Sequence, residues 1–181
     1  MDSKTKKLVL AGLMAALTMV GTMLIQIPTI TKGYIHAGDT IVYLCGVILG
    51  PVYGGLAAAI GSAMADAASG YAHYIIPTFL IKGLDAFVVG SIFHYVIRSA
   101  KVKSVIKFSI GSLLGTAIMV SGYFLYGTYL YGFETAVLGI LGNVTQGVGG
   151  MALAIPLLLA LEKTDIIAPR ELRHKTVGHK S

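Results

Sequence analysis

The stretch YIHAGDTIVYLCGVILGP, residues 34–51, sets a histidine and an aspartate at the lip of an apolar run that holds no other charge. It closes on Gly50-Pro51, a pair that ends one helix and opens another, because proline disfavours helical backbone at the residue before it and suits the first turn that follows. A segment this apolar belongs either to a buried core or to a bilayer, and the rest of the chain decides between them. Hydrophobic residues make up 55% of the 181 and charged residues only 12%, against roughly 25% charged in a soluble domain. The mean hydropathy is +0.79. The chain therefore reads as an all-α integral membrane protein, a single membrane domain with no length left for a sizeable extramembrane one.

Outward from that stretch the apolar runs predict six transmembrane helices, over about 8–27, 39–50, 52–69, 74–97, 108–130 and 135–161, followed by a basic tail over 165–181. The first run follows Lys4, Lys6 and Lys7 but is longer than the apolar part of a signal peptide, and more spans follow. Residues 28–38 are expected to form a polar loop, and the second helix is short enough to need tilting or lengthening into it. Glycine and alanine crowd the third run, as where helices approach closely in lipid. With the N-terminus inside, twelve of the 14 Lys and Arg fall on the cytoplasmic side, so both termini are expected in the cytoplasm. Only Lys32, in an outer loop, and Lys82, within a span, depart from that pattern. The same confinement of basic residues to helix ends argues against a nucleic-acid partner, and the single Cys45 offers neither a disulfide framework nor a metal cluster.

Ionisable groups inside a span are costly and usually face a cavity or a partner. Lys82 falls about eight residues, or ~12 Å at 1.5 Å per residue, below the outer start of its helix. Tyr123 and Asn143 reach a comparable depth from two other helices. Thr78 precedes Lys82 by one turn, and Gln146 lies a turn below Asn143. Tyr34, His36 and Asp39 in the first outer loop, with Asp66, His73 and Tyr74 from the far end of the third helix and its loop, are expected to ring the same opening. Alternatives stay open. Lys82 either faces a pocket or pairs with Asp85, three residues on along the helix. Asp39 either touches a ligand or caps the second helix. Asp66 and His73 lack recognisable metal-ligand spacing, so no metal is expected. No phosphate loop, nucleophile elbow, zinc-protease helix or dinucleotide fingerprint is present.

The elements His36-Ala-Gly-Asp39, Leu49-Gly-Pro-Val-Tyr-Gly54, Ala65-Asp-Ala-Ala-Ser-Gly70 and Lys82-Gly83, in this order, resemble those of the substrate-binding S components of energy-coupling factor (ECF) vitamin transporters, in the riboflavin-transporter-like branch. The likeness runs over about 8–161. It implies a subunit of the bacterial plasma membrane that captures a vitamin from outside and docks to a transmembrane T component carrying two ATP-binding-cassette ATPases, without enzymatic activity or cofactor of its own. The family's docking motif, Ala-x-x-x-Ala, matches Ala11 and Ala15, with Gly12 and Ala16 extending the small face. The family's pocket uses the first outer loop and the outer halves of helices four to six. A lysine, an amide, histidines and tyrosines there suit a small aromatic heterocycle. Vitamin B6, as pyridoxine or pyridoxal, is the favoured ligand, the thiamine precursor hydroxymethylpyrimidine follows, and riboflavin or another vitamin is the alternative. A membrane-embedded enzyme and a stand-alone carrier are the rival classes.

Overall fold

The structure, a computed structural model, describes residues 3–29, 32–97 and 102–164. Arg98, Lys101 and the tail over 165–181 lie outside the described residues. Six α-helices run in chain order: α1 Ser3–Leu24, α2 Asp39–Leu49, α3 Pro51–Ala68, α4 Ile75–Ser91, α5 Ser104–Tyr131 and α6 Phe133–Leu161. Four stretches are long and apolar enough to cross a membrane: α1, α4 with its flanking turns, α5 and α6. At 11 residues α2 is only ~16 Å long, about half a bilayer's hydrocarbon thickness. Its deficit in length is met by burial: α2 packs against α1, α3, α4 and α6 at once, and from Val42 to Val47 every residue is buried.

Small residues make this packing possible. Gly46 lies against the backbone of Ala86 and Gly90, Gly54 against Cys45, and Gly61 against the carbonyl of Ala15, so that an added Cβ at any of them would overlap main-chain atoms of the neighbouring helix. Around these close approaches Tyr43, Val47, Val89, Phe108 and Leu158 form one buried apolar cluster. The opposite faces of the helices carry exposed Leu, Ile, Val and Phe side chains, as surfaces in contact with lipid do.

Three boundaries differ from the sequence expectation. The first helix stops at Leu24 rather than running to 27, because Pro28 forces the residue before it into extended backbone. Residues 28–38 are not a plain loop: β1 (Gln26–Pro28) and β2 (Tyr34–His36) pair antiparallel, with Ile27 opposite Ile35. The fourth span is not uniformly α-helical. It opens with a 3-10 turn, Ala72–Tyr74, and closes with a π-helical turn, Ile92–Val96. The ring Nε2 of His94 in that π turn sits 2.8 Å from the Val47 carbonyl, joining it to the end of α2.

Two helix pairs are joined through a single glycine. Gly50 (φ 78°) lies between α2 and α3, and Gly132 (φ 86°) between α5 and α6. With ψ of 176° and 161°, both sit in a region essentially confined to glycine, where an L side chain costs roughly 1–3 kcal/mol. An added Cβ at Gly132 would meet nothing within 4 Å, so its cost is one of backbone alone. Gly132→Ala is therefore expected to destabilise by about 1–3 kcal/mol, read as a lower Tm of the detergent-purified protein. Gly149→Ala, in helical backbone with equally open surroundings, is expected to leave Tm unchanged or raise it.

Candidate ligand cavity

At the hairpin end of the bundle, α1, α3, α4, α5 and α6 part to leave a small polar cavity of about 50 Å³. The hairpin forms one side of it. Tyr34 packs its ring on Tyr71, with centroids 4.7 Å apart, and donates its hydroxyl to Asp66 Oδ1 at 2.7 Å. The His36 backbone N–H donates to Gln146 Oε1 at 3.1 Å, and the Gly38 N–H donates to His36 Nδ1 at 3.0 Å. Nδ1 is thus an acceptor, which assigns the ring proton to Nε2. Burial pushes this imidazole down to about 4, outweighing the attraction of nearby Asp39, so His36 is neutral at physiological pH.

The far wall is aromatic. Thr78 Oγ1 lies 3.1 Å from the Tyr123 hydroxyl, and Tyr74 meets Tyr123 edge-on with centroids 6.1 Å apart. Asn143 lines the α6 side together with Gly139 and Gly142. Thr22 from α1 and Ser62 and Asp66 from α3 also line the cavity, the latter two four residues apart and so on one helical face. All three are at least nine-tenths buried. Thr22 Oγ1, Ser62 Oγ and Asp66 Oδ2 have no hydrogen-bond partner in the protein.

Beneath the cavity lies a buried ion pair. Lys82 Nζ donates to Asp39 Oδ1, and both side chains are fully buried. Asp39 Oδ2 accepts from Gln146 Nε2 at 3.0 Å. Lys82 also touches Met119 Sδ at 2.6 Å and lies 5.8 Å from the centre of the Tyr123 ring, within cation-π range. Gln146 is the floor on which ligand space and ion pair meet, with its amide engaged at both ends.

Of the residues singled out in the sequence, Tyr34, His36, Tyr74, Thr78, Tyr123, Asn143 and Gln146 are brought together around the cavity. Lys82 and Asp39 are not among its lining; they satisfy each other below it. This corrects the local pairing of Lys82 with Asp85: α2 delivers Asp39 to the ammonium from 43 residues away. Asp85 is instead fully buried against Gly115, and neither of its oxygens has a hydrogen-bond partner. Nor is Asp39 a helix cap. It is the first residue of α2, Gly38 holds the cap position, and the carboxylate is committed to side chains. His73 is exposed on the rim, where its carbonyl accepts from the Tyr126 hydroxyl and its Nε2 lies 3.1 Å from that of Tyr131. The sequence reading does not single out Thr22 or Ser62, whereas Asp66, expected at the rim of the opening, lines the cavity. Ser62 and Asp66, one turn apart in a helix otherwise built of small and apolar residues, were the available signal.

On α1, Ala11 and Ala15 are half-buried and pack toward the core, the Ala15 carbonyl lying against Gly61 of α3. Gly12 and Ala16 are exposed, and an added Cβ at Gly12 would meet nothing within 4 Å.

A sequence model of the ECF-type riboflavin transporter S component family matches residues 2–163. The chain belongs to that family. An uncharacterized protein of Pyrococcus woesei is 34% identical over 145 residues, which is 80% of this chain and 93% of that one. The thiamine precursor transporter HmpT of Lactococcus lactis subsp. cremoris is 26% identical over 170 residues, covering 92% and 95% of the two chains. Among solved structures, the S component of a bacterial ECF transporter superposes with a TM-score of 0.71 over 89% of this chain and 98% of that one. At 17% identity that likeness speaks for the fold alone. This S component is thus a membrane protein of vitamin uptake and not an enzyme, which removes the embedded-enzyme reading. Membership carries with it a vitamin substrate, a T component and ATPase partners.

Removing one member of a buried pair leaves an uncompensated charge, at a cost of about 3–5 kcal/mol. Lys82→Met is therefore expected to lower the Tm of the purified protein sharply, and Asp39→Asn added to Lys82→Met to recover most of the loss. A double variant no more stable than Lys82→Met would show that the two side chains do not depend on each other.

Proposed function

We propose that this S component captures the thiamine precursor hydroxymethylpyrimidine at the outer face of the cell membrane and passes it inward after docking through α1 to its T component. The observation that carries the ligand choice is the cavity itself, which is small, polar and walled by aromatic rings. Its 50 Å³ is far below the ~300–1,000 Å³ of sites for drug-sized ligands. A single ring can enter with modest side-chain movement, whereas a tricyclic flavin requires helices to separate. The relative named as a thiamine precursor transporter, matching over nearly the whole chain, points the same way. Vitamin B6 is suggested by a set of pocket groups that includes a lysine. With Lys82 committed to Asp39 beneath the lining, that set loses its lysine, and pyridoxine ranks second.

The outward orientation rests on charge. Lys4, Lys6, Lys7, Lys103 and Lys107 flank helix ends away from the hairpin in chain order, and the positive-inside rule assigns such ends to the cytoplasm. Both termini and the tail over 165–181 then belong on the cytoplasmic side, with the cavity mouth facing out. Tyr34, His36, Tyr74, Thr78, Tyr123, Asn143 and Gln146 form the binding site in this reading. Asp39 and Lys82 support it from below, and His73 sits at its edge.

Calorimetric titration of the detergent-purified protein with hydroxymethylpyrimidine, pyridoxine and riboflavin tests the ligand. One-to-one binding of the pyrimidine at least tenfold tighter than the other two is expected, and tighter binding of riboflavin would refute the size argument. For docking, the exposed half of the α1 motif gives the cleaner variants. Gly12→Leu and Ala16→Leu are expected to leave ligand affinity within twofold while cutting uptake by reconstituted S component, T component and ATPases more than tenfold. Uptake at the unmodified rate would move the docking surface off this face.

A further inference from the structure

The three partnerless polar atoms of α1 and α3 in the cavity lining are buried, whereas the Asn143 amide of the same lining is only half-buried. Other polar groups around the cavity are matched within the protein: Gln146 to Asp39 and to the His36 N–H, Thr78 to Tyr123, Tyr34 to Asp66 Oδ1. Asp66 Oδ2, Ser62 Oγ and Thr22 Oγ1 are buried, line the cavity and are left over. A buried polar group without a partner costs free energy, and such a group in a native protein calls for an explanation. The three that line one cavity share one: they are completed by the ligand.

What they require of that ligand follows from donor and acceptor rules. A carboxylate oxygen only accepts, whereas a hydroxyl both donates and accepts. The Tyr34 hydroxyl, by donating to Oδ1, holds the Asp66 carboxylate in place and leaves Oδ2 for an incoming N–H. Ser62 or Thr22 then serves a ring nitrogen with its O–H. We infer that the Asp66, Ser62 and Thr22 part of the cavity lining is a recognition site for an amino group next to a ring nitrogen, so that this S component selects amino-substituted heterocycles over their oxo or hydroxy counterparts. This rests on the reading of the cavity as the vitamin site and names the feature of the cargo that it selects. A hydroxymethyl group, by contrast, is served by any hydrogen-bonding wall and gives little discrimination. An oxo group set against Oδ2 brings two acceptors together, with a penalty instead of a bond.

The test is calorimetry on the full-length protein with two probes that differ in the 4-substituent and in the ring proton that goes with it, 4-amino-5-hydroxymethyl-2-methylpyrimidine, whose ring nitrogens accept, and its 4-oxo counterpart, which carries a ring N–H. The wild type is expected to bind the amino compound at least tenfold more tightly. Asp66→Asn keeps the acceptor for Tyr34 and can offer an N–H in place of Oδ2. It is expected to weaken the amino compound about tenfold to a hundredfold, as for loss of a hydrogen bond to a charged group, and to leave the oxo compound unchanged or tighter. Ser62→Ala is expected to weaken the amino compound severalfold. Equal wild-type affinity for the two probes overturns the inference, and that comparison needs no variant to fold. Tight binding of the amino compound that survives Asp66→Asn within twofold overturns it while leaving the cargo assignment intact. Binding of neither pyrimidine overturns both.

Discussion

The Asp39–Lys82 pair is the constraint around which the cavity end of the bundle is arranged. It joins the first residue of a half-length helix to the middle of α4, and through Gln146 and Met119 it reaches α6 and α5. Desolvating two charges is costly, and an ion pair repays little more than that cost, so its contribution to net stability is small. What it supplies is a single acceptable register. If α2 slid by one residue, a charge would be left alone in an apolar interior, whereas apolar contacts among Val, Leu and Ala tolerate such a shift far better. The close glycine contacts of Gly46 and Gly54 act in the same sense, since each admits only one depth of approach.

The hairpin extends this order upward. Because His36 is followed so closely by Asp39, the strand that donates its backbone N–H to Gln146 is anchored three residues before the aspartate whose carboxylate holds the same amide. The cavity's floor and side wall are therefore fixed by one short piece of chain. His36 completes this geometry as a neutral acceptor for Gly38. This is why a histidine and an aspartate stand at the edge of so apolar a run: the one supports the turn while lining the cavity, and the other neutralises a lysine.

Much of this was legible in the sequence, and the limits have physical causes. Composition and run lengths gave the membrane class, and Gly50-Pro51 marked the break between two helices because both residues act locally. Lys82 stood out as costly wherever it lay. Its partner was less visible, because an i, i+3 relation to Asp85 is apparent in one dimension while Asp39 arrives only through the tertiary fold. The hairpin was hidden for a similar reason: three-residue strands are too short to show a period. Thr22 and Ser62 escaped notice since hydroxyl residues in apolar helices commonly bond back to their own turn, as Thr18 does to the Met14 carbonyl. Only three-dimensional contacts reveal that these two hydroxyls do not.

Gln146 divides the molecule into two kinds of polar group. Below it, every interaction of the ion pair is internal; in the lining above it, buried atoms of Thr22, Ser62 and Asp66 have no partner in the protein. Substitutions at 22, 62 or 66 would alter the cavity lining without removing either member of the ion pair. On the proposed reading, recognition and support are then separable under mutation. A scaffold divided in this way can change cargo by drift at a few positions, in keeping with one chain that matches both a family model named for riboflavin and a relative named for a thiamine precursor.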